Sequence, residues 1–164
     1  MNTQPISYPL HEGCFLTLPP ATDQTINILS FLDPEHQAYD IIVNRAELKP
    51  DETVDDFLNA QAERMQRFTP GYTPEPEQIR HQIGPAQLPV VQTANKYLHQ
   101  GKWMNQISSV ITLPADPQRN PQQRKLIIFT LASHGEFTDA QRQHYRRMIN
   151  SFTPEQTPCT DDNS

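Results

Sequence analysis

Apolar positions along this chain fall into short alternating runs, and the spacing twice changes to a helical one. Ile6 to Leu10 and Gly13 to Leu18 predict two short strands around His11-Glu12, the second stopped by Pro19-Pro20. Thr25 to Leu32 predicts a longer strand ended by Asp33-Pro34, and Ile41 to Arg45 a β-branched one. Lys49-Pro50-Asp51-Glu52 then breaks the chain. Thr53 stands three residues ahead of Asp56, which predicts a capped helix over Thr53 to Phe68 with acidic residues where the helix dipole favours them. Thr69 to Gln78 holds three prolines and reads as a loop, with Ile79 to Ile83 extended after it. Leu88 to Leu98 and Lys102 to Leu113 flank His99-Gln100-Gly101, a hairpin signal. Pro114 to Gln123 is a polar, proline-rich connection, and Lys125 to Ala132 is the last strand. Thr138, with Gln141 three residues on, caps a closing helix whose inner face is Gln141, Tyr145, Met148, Ile149 and Phe152.

The first helix has an irregular stripe. Val54, Phe57, Leu58, Met65 and Phe68 share an apolar arc of about 100°, yet Gln61 lies near its middle. A buried glutamine without partners costs roughly 1–3 kcal/mol. Gln61 therefore bonds a loop or sits at a wet edge, or the stripe meets something outside the chain.

The strands raise the same question. Ile26 and Ile28 point one way and Leu29 and Phe31 the other, and Leu126 and Ile128 oppose Ile127 and Phe129. Both sheet faces are thus largely apolar, with two helices to cover them. The expected class is α+β, a mainly antiparallel sheet with its two principal helices on one face. The face left over is then a ligand groove, a dimer contact or a partner surface. Met104, Gln106 and Ser108 alternate along Lys102 to Leu113, so small polar groups speckle apolar surface. Such speckling is what a membrane helix meets inside a helix bundle; a half-solvated sheet shows it too.

Length and composition narrow the class. With 164 residues the chain is expected to form one domain over residues 1–153, followed by a disordered tail over 154–164. A net charge of −6 argues against nucleic acid as the main partner. Cys14 and Cys159 form no metal spacing and are expected as free thiols in a reducing compartment. No basic-then-apolar segment opens the chain, and the longest apolar run, Leu126 to Phe129, is too short to span a bilayer. The cytoplasm is the expected location.

Chemistry-bearing motifs are scarce. None of the six histidines has metal-site or triad spacing, and five glycines leave no phosphate-cradling loop. Asp55-Asp56 reads as helix N-terminal charge. No catalytic residue, cofactor or metal is expected, and the chain reads as a non-enzyme.

The order of several short signatures resembles the Eag chaperones, bacterial proteins that serve type VI secretion effectors. These signatures are Glu12-Gly13, Leu18-Pro19, Asp23, Ile26-Asn27-Ile28-Leu29, Val43-Asn44-Arg45, Lys49-Pro50, Glu52-Thr53 and Phe57-Leu58. Met104-Asn105-Gln106, Phe137-Thr138, Gln141 and Ser151-Phe152 complete the set, which spans residues 8 to 153. Ala21-Thr22 stands where the family commonly has an aromatic, and the loop Pro114 to Gln123 is longer and richer in proline. The resemblance implies a curved sheet, a homodimer, and a concave face that holds the N-terminal transmembrane segments of an effector before export. It places Ile26 and Ile28 on that face. The patterns above extend the client-binding set to Val43, Leu58, Gln61, Met65, Met104, Gln106 and Ser108. Two other classes stay open: an adaptor for a folded partner, with salt-sensitive binding, and a small-molecule enzyme with a pocket between sheet and helix.

Overall fold

The computed structural model describes residues 4–154. Among the described residues two strands, β1 (Ile6–Leu10) and β2 (Gly13–Thr17), pair only with each other. The main sheet follows, with β3 (Asn27–Leu32), β4 (Ala38–Glu47), β5 (Thr73–Pro74), β6 (Ile79–Ile83), β7 (Leu88–His99), β8 (Lys102–Thr112) and β9 (Lys125–Ser133). Its order is β3-β4-β9-β8-β7-β5, with β6 also on β7, and every pairing is antiparallel. The helices are α1 (Val54–Phe68) and α2 (Asp139–Ser151). The fold is α+β with strands dominant, as the sequence pattern leads one to expect.

Both helix starts are capping boxes. The Thr53 hydroxyl accepts from the Asp56 amide while the Asp56 carboxylate accepts from the Thr53 amide, and Thr138 and Gln141 repeat the arrangement. The β7–β8 hairpin turns at Gln100 and Gly101, which both take positive φ (53° and 77°), the conformation a two-residue hairpin of the right twist requires. In the Pro114–Gln123 connection Asp116 accepts from the amides of Gln118 and Arg119, and a second side chain ties the loop to its flanks. Buried Asn120 donates to the carbonyls of Leu113 and Pro114 and accepts from the amides of Arg124 and Lys125.

The two helices do not share a face, in contrast to the arrangement expected from sequence. Strand β9 is buried along nearly its whole length and feeds both sides. Leu126 and Ile128 join Val91, Val110, Leu48 and Leu58 in a core under α1. Ile127, Phe129 and Leu131 join Ile41, Ile107, Ile111, Tyr145 and Ile149 in a larger core under α2. The reason lies in period 2: a strand apolar on both faces needs cover on both, and one helix on each side supplies more of it than two on one side.

Candidate functional site

The α1 face is covered unevenly. Residues directly opposite across an antiparallel pair share a face. The register therefore sets Ile28, Ile42, Thr130, Ser108 and Thr93 in one row on the α1 side, with Asp40, Ala132, Gln106 and Asn95 in the next. Helix α1 covers the part of this face near Val91, Val110 and Leu126. The half toward β3 and β4 stays open, and Ile26 and Ile28 there are 59% and 63% exposed.

A cavity of about 820 Å³ lies between the helix and that open half. Ile26, Asn44, Ala46 and Ile128 form its sheet side, Phe57 and Gln61 its helix side, and Pro20 to Gln24 a further wall. Charged groups (Asp23, Arg45, Glu47, Lys125) also line it. Arg45 donates to the Thr25 carbonyl at 3.0 Å and to Asn27 Oδ1 at 2.5 Å, which ties the start of β3 to β4.

Asp23 accepts from the Thr25 hydroxyl, from the Tyr8 hydroxyl at 2.5 Å and from the Thr25 amide at 3.0 Å. These bonds, the Thr25 hydroxyl first, hold its carboxyl below the ordinary carboxylate range.

Of the residues singled out from sequence, Ile26 and Gln61 line this cavity, and Ile28, Gln106, Ser108 and Met104 lie on the same face. Gln61 is exposed at the cavity edge, so the open end of the α1 stripe accounts for its polarity. Phe68 at the stripe's end is 76% exposed. Met65 is half-buried one turn beyond Gln61, its Sδ accepting from the Thr69 hydroxyl at 3.4 Å. Ser108 shares a hydrogen bond with Thr130 at 3.1 Å, and Gln106 donates to the Tyr97 hydroxyl at 3.3 Å.

Two residues of the set do not belong to the open surface. Val43 lies opposite Phe129 in the core under α2, on the other face of the sheet. Leu58 is buried in the core under α1 and holds the helix down. Sequence reasoning also passed over Asn44, Ile42 and Thr130. The Asn44 Oδ1 and Asn95 Oδ1 atoms are buried and accept no hydrogen bond among the described residues. Counting by twos from Ile28 through its partner Ile42 would have chosen Asn44 over Val43, but that requires the cross-strand register.

No cluster of metal-ligating side chains occurs among the described residues. No helix there is long and apolar enough to cross a membrane. Cys14 is an exposed free thiol, and Cys159 lies outside the described residues, as does nearly all of the tail expected to be disordered.

The fold defines an antiparallel α+β protein with one helix on each face of a seven-stranded sheet and a half-open face beside one of them. The chain belongs to the DcrB family, whose model matches residues 12–151. Several solved structures share the fold, among them the following two. PA94 from Pseudomonas aeruginosa, a protein of unknown function provisionally called a regulator, superposes with a TM-score of 0.68 at 18% identity, over 93% of this chain and 99% of that one. LpqN from Mycobacterium tuberculosis, involved in cell envelope biogenesis, gives 0.50 at 12% identity, over 82% and 87%. At these identities the likeness is one of fold alone. No curated protein sequence matches the chain.

Proposed function

We propose that this protein is a non-catalytic chaperone that binds an uncharged apolar helix of a partner protein on the open half of the α1 face. The observation that carries this reading is the pairing of exposed Ile26 and Ile28 with a floor of small polar groups, among them Ser108, Thr130 and Asn44. A membrane-type helix in water exposes about 20 mainly apolar residues. An apolar cradle shields them at roughly 25 cal/mol per Å² buried. Small polar groups on the floor match the serine, threonine and backbone groups such a helix presents to its neighbours in a bilayer. The resemblance to Eag chaperones narrows the partner to the N-terminal transmembrane region of a type VI secretion effector, held in the cytoplasm by a homodimer before export.

The test is co-expression with candidate effector N-termini, followed by affinity purification without detergent. A soluble complex that is lost on deleting the membrane helices is the expected result. Ile28→Asp is expected to leave the circular dichroism spectrum unchanged and to abolish co-purification, because the side chain already faces water in the free protein. Retention of the partner by Ile28→Asp would move the site elsewhere. Recovery of a folded partner by salt-sensitive contacts, without regard to its helices, would replace this reading by the adaptor one.

A further inference from the structure

The groove is too shallow to enclose what it would bind. An α-helix with its side chains is about 10–12 Å across and a membrane-type one about 20 residues long. A cavity of about 820 Å³ takes one side of such a helix and leaves the other in water. The surface that could cover the outer side is the β1–β2 ribbon.

Among the described residues the ribbon pairs with no other strand. Its register sets Tyr8 opposite Phe15 and Leu10 opposite Gly13, so Ile6, Tyr8, Leu10 and Phe15 share one uncharged face. Tyr8 stacks on Phe15 at 5.2 Å, while Leu10 and Phe15 are 51% and 46% exposed. A lone two-stranded hairpin is marginal in water and gains stability when its apolar face meets another surface. Its position matters as much as its composition. The segment that joins the ribbon to β3 is itself a wall of the groove. The Tyr8 hydroxyl is anchored on that wall, at 2.5 Å from Asp23 and 2.9 Å from Thr25. The ribbon's apolar face therefore begins where the groove's wall ends.

We infer that the β1–β2 ribbon is a second gripping surface of the same site, laid by way of Leu10 and Phe15 over the outward side of an uncharged apolar helix seated in the groove. This rests on the groove reading above and adds to it a cover that the sheet and α1 do not provide. The ribbon face has no charge to match an acidic or basic partner. In the groove Asp23 is already bonded to Thr25 and Tyr8, and Arg45 to Thr25 and Asn27, while Glu47 and Lys125 stand opposite each other on β4 and β9. Ile26 and Ile28 are left exposed, so the occupant that fits both surfaces is one apolar helix touching both.

Hydrogen exchange read by mass spectrometry on the full chain tests this, with a synthetic helix of about 20 Leu, Ala and Ser residues as the probe. Slowed exchange over residues 6–17 together with 26–32 on adding the peptide is the expected result. The double variant Leu10→Asp, Phe15→Asp is expected to keep the protection at 26–32 and to release the peptide at least about tenfold faster. Protection at 26–32 alone, with unchanged release from the double variant, would overturn the ribbon's role and leave the groove reading standing. No protection anywhere would remove the groove reading and the ribbon's role with it. If the ribbon is already protected without peptide, more so at higher protein concentration, and the double variant turns a dimer into a monomer, the ribbon serves a second copy and the inference is wrong.

Discussion

Tyr145 shows how much one side chain can hold in this protein. It is buried on α2, donates to the Phe129 carbonyl at 2.9 Å and shares a 2.5 Å hydrogen bond with Ser109, which has no exposed surface at all. Burial pushes its phenol well above the ordinary tyrosine range. Tyr145→Phe strands the Ser109 hydroxyl and removes a partner of the β9 backbone. The expected loss is about 1–3 kcal/mol, read as a lower midpoint in urea. Adding Ser109→Ala should restore part of that loss, because no orphaned hydroxyl then remains; a purely additive pair would show that the two groups are not coupled.

At the level of elements, the two capping boxes act on helices of unequal support. Helix α2 buries Gln141, Tyr145 and Ile149 against the larger core, whereas α1 buries Leu58 alone. Thr53→Ala is expected to cost about 1 kcal/mol, and it should also raise amide exchange along α1 more than Thr138→Ala does along α2. Both helix starts, the β7–β8 turn and nearly every strand were legible in the sequence, since caps, turn residues and period 2 are local signals. Which face each helix covers was not legible. Leu126 to Phe129 look equally apolar on both sides, and nothing local tells the α1 side from the α2 side. The same gap separates Ile28, on the open face, from Val43, in the opposite core: their relation depends on which strands pair and in what register. The cavity wall at Pro20 to Gln24 was missed for a related reason, because only the tertiary fold brings that segment against α1.

At the scale of the whole molecule, β9 joins two cores that share no other strand so deeply buried. Leu126 belongs to the core under α1 and Leu131 to the one under α2, and both are almost fully buried. Leu126→Ala and Leu131→Ala are each expected to cost about 2–5 kcal/mol. Both should shift one common unfolding transition, seen alike by helical circular dichroism and by fluorescence of Trp103, the single tryptophan. Separate transitions for the two variants would mean that the two sides of the sheet melt independently.

The place of β9 also governs the order in which the protein is made. It lies between β4 and β8 in space, yet it follows both in the chain. During synthesis β7 and β8 can close as a local hairpin, and β3 and β4 can do the same, but neither pair can join the other until residues 125–133 have left the ribosome. Until then Ile41, Val43 and the apolar flank of β4, buried once β9 pairs, stand bare on a nascent chain. The nascent chain thus carries an exposed apolar segment of its own until β9 is made, and a ribosome stalled before β9 would release a sticky fragment.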